Sequence, residues 1–306
     1  MKHVNTSVNI AGVTFSNPVI AASGTYGFGR EYGNYVDLNK LGGISVKGLT
    51  LLPREGNMPP RIAETPSGML NSVGLENPGV ERFISDEIPF LSQYDLKTIV
   101  NVAGNSIEDY VNMTLKLNET SVDMLEINLS CPNVKHGCVS FGVSEQGVYE
   151  VTKAVKEVSK KPVIIKLTPN VTSIASIAYK AQDAGADGVS LINTITGMKI
   201  NVKTRRPVLY NNTGGLSGPA IRPIAVRMVH EVYQAIDIPI IGMGGITCLS
   251  DALEFIIAGA SAVMIGTYNF MNPYLCEQIV IDLIDYMKHN NIDNIKEMVG
   301  SLRLNG

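Results

Sequence analysis

The feature that most constrains this chain is a regular alternation. Short runs of β-branched and aliphatic residues take turns with longer segments of helical period, the pattern of parallel β/α units. Eight candidate strands can be read: Val19–Ala22, Ile44–Val46, Thr98–Val102, Met124–Ile127, Val163–Leu167, Gly188–Ile192, Ile238–Ile241 and Ala262–Ile265. Most are nearly continuous apolar runs, as expected of strands buried on both faces. The segments between them carry helix signals. Asn105 followed by Glu108 predicts a capping box that opens a helix through Leu117. Between Thr172 and Asp183, the residues Ile174, Ile177, Ala178 and Ala181 fall on one stripe, and Gly185 follows as a stop. Ser250 is expected to cap a helix over Asp251–Ile257 that ends at Gly259. Ala184-Gly185-Ala186 and Ala258-Gly259-Ala260 each lead into a strand, an echo too weak to be a sequence repeat.

Eight alternating units in 306 residues point to an α/β chain, a single (β/α)8 barrel domain spanning 1–306. A doubly wound sheet is the alternative. Ahead of the first strand, Val8–Ile10 and Val13–Phe15 around Ala11-Gly12 read as a hairpin placed to plug the barrel floor. Two long β/α insertions stand out. Leu49 to Leu75 carries Pro53, Pro59, Pro60 and Pro66, and Ile195 to Gly218 carries Arg205-Arg206-Pro207 and Gly214-Gly215. Inserts of this length after barrel strands are usually lids or site walls.

Composition removes several function classes. With 45% apolar and 17% charged residues, the chain is no disordered or highly charged tail. Lys and Arg number 25 against 28 Asp and Glu, and no basic block gives nucleic acid an electrostatic footing. Four unevenly spaced cysteines fit a reducing compartment better than a disulfide framework. No apolar run follows Met1-Lys2-His3-Val4 as in a signal peptide, and none reaches the length of about 18 residues that a membrane span needs. The expected location is cytoplasmic.

In a barrel of this kind the chemistry sits just after each strand. The first strand is followed by Ser23-Gly24 and the second by Lys47-Gly48. The third contains Asn101, and the fourth gives way to Asn128-Leu129-Ser130-Cys131-Pro132-Asn133. The fifth contains Lys166 with Thr168 beyond, and the sixth runs through Ile192 into Asn193-Thr194. The seventh ends in Gly242-Met243-Gly244-Gly245 and the eighth in Gly266-Thr267. Every terminus is polar or glycine-rich.

Gly244-Gly245 and Gly266-Thr267 lack bulk, so successive backbone N–H groups can close around a phosphate, at the strand ends where barrels often bind one. The plainer reading is a pair of tight turns. Lys47 and Lys166 end apolar strands, where a buried ammonium needs a partner. Such a charge suits an anionic cofactor or substrate in the mouth; the alternative is ion bridges to carboxylates such as Glu126. Asn71, Asn128, Asn133 and Asn193 each offer donor and acceptor, which suits a small planar ring with imide N–H and C=O edges, though a single Asn is usually a turn former.

Cys131 lies where Pro132 turns the chain out of the fourth strand, and a thiol there can act as nucleophile or base. The plainer fate, a small buried hydrophobe, is the expectation for Cys248 and Cys276. Cys131, His136 and Cys138 fit no zinc or iron–sulfur spacing, so no metal is expected. Gly27-Phe28-Gly29-Arg30 lacks the third glycine of a dinucleotide fingerprint, and no Cys-x-x-Cys pair is present.

Taken together, Asn71-Ser72-Val73-Gly74-Leu75, Asn128-Leu129-Ser130-Cys131-Pro132-Asn133 and Gly214-Gly215-Leu216-Ser217-Gly218-Pro219 make the chain resemble a class 1 dihydroorotate dehydrogenase, essentially from end to end. The resemblance implies a (β/α)8 barrel that binds FMN and oxidises (S)-dihydroorotate to orotate in pyrimidine biosynthesis. It implies FMN contacts from Ser23, Lys47, Gly48, Asn101, Asn128, Lys166, Ile192, Gly218, Gly244, Gly245, Gly266 and Thr267. It implies substrate contacts from Lys47, Asn71, Ser72, Val73, Gly74, Leu75, Asn128, Asn133, Asn193 and Thr194, with Cys131 as the base that removes the C5 proton.

Asn133-Val134-Lys135-His136-Gly137 and Lys203-Thr204-Arg205 look like class 1B, which passes electrons to NAD+. The resemblance then implies a partner, an electron-transfer subunit carrying FAD and [2Fe–2S], in a heterotetramer built on a homodimer core. Cys138 departs from the family's usual glycine. Three alternatives stay open on the sequence: a class 1A homodimer using fumarate, a phosphate-binding barrel lyase or isomerase with a Schiff-base lysine, and a non-catalytic phosphate-ligand binding subunit.

Overall fold

Residues with two buried faces can satisfy their backbone only by pairing on both edges, and the eight apolar runs do so by closing on one another. The computed structural model describes residues 4–129 and 141–305. Its barrel strands are β1 (Val19–Ala21), β2 (Gly43–Ser45), β3 (Lys97–Val102), β4 (Met124–Asn128), β5 (Val163–Lys166), β6 (Gly188–Leu191), β7 (Ile240–Met243) and β8 (Ala262–Ile265). Each pairs in parallel with the next, and β8 returns to β1 through Val263 opposite Val19. That closure excludes the doubly wound sheet and makes the fold a (β/α)8 barrel.

One strand lies two residues beyond its expected place. The sequence predicts Ile238–Ile241, whereas β7 covers Ile240–Met243. Pro239 has no N–H to give a ladder, though its carbonyl accepts from Val189 N–H at 3.0 Å. Pairing instead extends forward, with Gly242 opposite Leu191 and Met243 opposite Met264.

The longer outer helices are α1 (Ile107–Asn118), α2 (Glu145–Val158), α3 (Ile174–Asp183), α4 (Arg222–Tyr233), α5 (Leu249–Ala258) and α6 (Leu275–His289). In α3 the buried residues are the expected stripe, Ile174, Ile177, Ala178 and Ala181. Gly185 follows with φ +94°, a left-handed conformation open to glycine at little cost. Two caps differ from expectation. The cap of α1 is Ser106, whose hydroxyl accepts from Asp109 N–H at 3.2 Å, while the Asp109 carboxylate accepts from Asn105 N–H at 2.8 Å. The cap is thus shifted one residue from Asn105 to Ser106, whose backbone is extended, and the expected reciprocal box does not form, since the Asp109 carboxylate binds the residue before the cap. Ser250 lies inside α5, whose cap position is Cys248; Thr247 and Asp251 anchor that end instead.

The N-terminal hairpin forms as read, with Val8 opposite Phe15. Ile10 and Phe15 are fully buried, and a Cβ on Gly43 would stand 2.9 Å from the Phe15 ring. The hairpin therefore packs against the entry to β2, which has no side chain there, consistent with a plugged floor. The two long insertions find each other. Strands Ile62–Thr65 and Gly68–Asn71 from the first join Ile195–Gly197 and Gly214–Ser217 from the second in one antiparallel sheet. Ile200–Asn201 and Arg206–Pro207 add a short hairpin. Among the described residues no helix is long and apolar enough to cross a membrane.

Candidate active site

The strand ends and the insertion sheet together enclose a cavity of about 550 Å³. Its walls come from all eight barrel strand ends. Ser23 and Gly24 follow β1, Lys47 and Gly48 follow β2, Asn101 lies in β3, and Asn128 ends β4. Lys166 ends β5, Ile192, Asn193 and Thr194 follow β6, Gly244 and Gly245 follow β7, and Gly266 and Thr267 follow β8. The insertions close the other side with Asn71, Ser72, Val73, Gly74 and Leu75 and with Gly218. Every sequence-predicted site residue that lies among the described residues lines this one cavity. Asn133 and Cys131 lie outside the described residues, as do His136 and Cys138.

The glycine turns have a backbone reason. Gly244 and Gly245 both adopt positive φ, +137° and +73°. A Cβ on Gly245 would meet the Gly218 carbonyl oxygen at 2.7 Å, so the turn after β7 packs directly against the second insertion. Among the described residues, the backbone N–H groups of Gly245, Gly266 and Thr267 find no acceptor in the chain. Unspent donors at adjoining strand ends are what an anion-binding nest requires. The Thr267 hydroxyl donates to Ser217 Oγ at 2.8 Å, tying the β8 turn to the insertion sheet.

Opposite these turns the wall is polar and charged. Lys47 is half-buried and, among the described residues, has no ion-pair partner. Lys166 is 6% exposed, and its Nζ lies 3.8 Å from Glu126 Oε2. The ion-bridge reading holds for Lys166, which also lines the cavity. Asn128 Nδ2 donates to Asn101 Oδ1 at 3.2 Å, and Asn193 Nδ2 donates to Asn128 Oδ1 at 3.4 Å.

The Asn71–Leu75 segment is held from both ends. Asn57 Nδ2 donates to the Ser72 carbonyl at 2.9 Å, and Asn77 Nδ2 donates to the Leu75 carbonyl at 2.7 Å. Among the described residues Ser72 Oγ is buried without a hydrogen-bond partner, an unusual cost that a bound ligand would relieve.

Sequence reasoning passed over several contributors. Asn170 lines the cavity and clamps the segment after β6, donating to the Thr194 carbonyl at 3.1 Å and accepting from Thr196 N–H at 3.0 Å. Ser45 and Ser190 face Glu126 inside the barrel. Their signal was a polar residue within an otherwise apolar strand. Cys248 is a correction, since it is exposed rather than a buried hydrophobe, being stranded at the helix cap position outside the core. Cys276 is buried as expected, and burial pushes its thiol up to about 12, against a smaller opposing effect of its hydrogen bond to Asn269.

A family model described as Dihydroorotate dehydrogenase matches residues 5–287. Among curated relatives, a protein of Alkaliphilus metalliredigens (strain QYMF) is 58% identical over 302 residues, covering 99% of this chain and 100% of its own. One from Thermoanaerobacter pseudethanolicus (strain ATCC 33223 / 39E) is 56% identical over 301 residues, covering 98% and 100%. One from Anoxybacillus flavithermus (strain DSM 21510 / WK1) is 51% identical over 301 residues, covering 98% and 96%. Each of the three is named Dihydroorotate dehydrogenase B (NAD(+)), catalytic subunit.

Proposed function

The chain belongs to the dihydroorotate dehydrogenase family, and on that premise we propose that it oxidises (S)-dihydroorotate to orotate with FMN held in the barrel-mouth cavity. The residues present suit that cofactor. The unspent N–H groups of Gly245, Gly266 and Thr267 match a phosphate, and the volume of about 550 Å³ suits a ligand of flavin size with a small ring beside it. Gly218, Gly244, Gly245, Gly266 and Thr267 would hold the phosphate end. Ser23, Lys47, Gly48, Asn101, Asn128, Lys166 and Ile192 would line the ring end.

Forming the C5=C6 double bond removes a proton from C5 and a hydride from C6. When bound, FMN supplies the hydride acceptor. The remaining work belongs to the chain. Cys131, assigned by resemblance, takes the C5 proton as thiolate. Lys47 and the backbone of the 71–75 segment meet the substrate carboxylate, and Ser72 Oγ gains the partner it lacks among the described residues. Asn71, Asn128, Asn133, Asn193 and Thr194 hold the ring edges, fixing C5 and C6 for reaction. Lys166 adds a buried positive charge at the cavity base.

The name of the relatives extends the reading. A catalytic subunit has a partner, and this chain would pass its electrons to NAD+ through an electron-transfer subunit with FAD and [2Fe–2S], two copies of each chain in the assembly. The observation that carries the proposal is the convergence of Lys47, Lys166, Asn128, Asn193 and the two glycine turns on one cavity. The test is orotate formation by the purified chain loaded with FMN, given (S)-dihydroorotate and an artificial electron acceptor. Orotate absorbance should rise; none in protein that carries flavin would overturn the reading.

A further inference from the structure

Beneath the cavity, one carboxylate organises more than its own burial requires. Glu126 of β4 is 0% exposed. Its Oε2 accepts from Ser45 Oγ at 2.9 Å and from Asn101 Nδ2 at 2.6 Å, and its Oε1 accepts from Ser190 Oγ at 2.6 Å. Lys166 Nζ lies 3.8 Å from Oε2. From Asn101 a relay climbs to the rim. Asn101 Oδ1 accepts from Asn128 Nδ2, and Asn128 Oδ1 accepts from Asn193 Nδ2. At the outer end, Asn193 Oδ1 accepts from Thr194 N–H at 2.8 Å.

All three amides face the same way, nitrogen towards Glu126 and oxygen away. The cause lies at the bottom of the chain. A carboxylate only accepts, so Asn101 must turn its nitrogen inward and its oxygen outward. That oxygen demands a nitrogen from Asn128, and the Asn128 oxygen in turn demands one from Asn193. The relay is thus pinned at its inner end by a group that can only accept and at its outer end by the Thr194 N–H, which can only donate.

We propose that Glu126 is a positioning residue for dihydroorotate oxidation. It fixes the inner end of the amide relay of Asn101, Asn128 and Asn193, whose outer end the Thr194 N–H holds, and so the edges offered to the substrate, and it balances the charge of Lys166 next to the flavin. The inference rests on the functional reading above. If Glu126 only satisfied a buried lysine, its loss would lower stability and leave the ligand edges unchanged.

Glu126→Gln separates these roles, being close in size but uncharged and able to donate as well as accept. In FMN-loaded protein, orotate dissociation constants measured by calorimetry should rise about 10-fold or more, in line with loss of a charge-assisted network. The midpoint potential of the bound flavin should become more positive, because Lys166 loses its counter-charge. Asn193→Ala should cost about 10-fold in the parent and less than about threefold in the Glu126→Gln background, since both act through one relay. Glu126→Asp keeps the charge but withdraws it by one methylene. It should weaken orotate about threefold with the potential held near the parent value, and it carries the test if Glu126→Gln does not fold.

Parent-like orotate affinity in either folded variant, or additive costs in the double variant, would overturn the inference. Failure of the parent protein itself to bind FMN or orotate would instead overturn the functional reading.

Discussion

Asp251 and Thr247 form a two-point clasp, in which one Asp251 carboxylate oxygen accepts from both the backbone N–H and the hydroxyl of Thr247, at 2.8 and 2.7 Å. Arg222 pairs with the other oxygen. The clasp closes two residues after Gly245, and Arg222 Cβ would stand 3.0 Å from a Cβ on that glycine. The turn assigned to the cofactor phosphate is therefore braced by α4 and α5 together.

Burial alone would raise the Asp251 pKa, but the Thr247 hydrogen bonds and the Arg222 guanidinium outweigh it and hold the carboxyl below its usual range. A group depressed in the folded state stabilises above its unfolded pKa, near 3.9, and the gain is lost as pH falls through the lower folded value. Asp251→Asn should cost about 2 kcal/mol at pH 7, and its melting-temperature gap to the parent should narrow below about pH 4. A gap that stays constant down to pH 3 would contradict the assignment.

Gly245→Ala tests the same turn sterically. With φ +73° and the Gly218 oxygen 2.7 Å from the new Cβ, the turn must shift. The variant should lose at least about 10-fold in FMN affinity and about 1–3 kcal/mol in stability. Flavin retention through gel filtration reads the first and thermal melting the second. Full retention would separate this turn from the cofactor.

Cys131→Ala should lower turnover by about 100-fold or more while FMN stays bound, because the thiolate is assigned to proton removal alone. Parent turnover should rise with pH as the thiol ionises. Steady-state rates across pH, with bound flavin measured on the same samples, decide it. A fully active alanine variant would dismiss the role.

The two cysteines among the described residues divide by environment. Cys276 is fully buried with its thiol pushed up to about 12, while Cys248 is exposed. Iodoacetamide at pH 8 should alkylate Cys248 in the native protein and reach Cys276 only after denaturation, as read by peptide mass mapping. Native labelling of Cys276 would contradict its burial.

Much of this architecture was legible because barrel strands buried on both faces write themselves as apolar runs, and because barrel chemistry sits at their ends. Lys166 and Asn101 could be found as polar interruptions near strand ends. What escaped depended on contacts distant in sequence. Nothing in Asn71 announces that it will face Gly215 across an antiparallel sheet, nor in Glu126 that Ser45, Asn101 and Ser190 will converge on it. Glu126 entered the sequence reading only as a counter-ion for lysine, and the barrel closure is what makes it an anchor. The α1 cap shifted from Asn105 to Ser106 for a local reason, since adjacent Asn and Ser are both competent caps and the backbone entry angle decides between them.

The central claim is that this chain alone takes a proton and a hydride from dihydroorotate in the barrel mouth. Anaerobic titration of the FMN-loaded chain with (S)-dihydroorotate, with no acceptor and no partner present, tests it most directly. The account predicts that the flavin absorbance bleaches with about one orotate formed per flavin. An unchanged flavin spectrum at saturating dihydroorotate would contradict it.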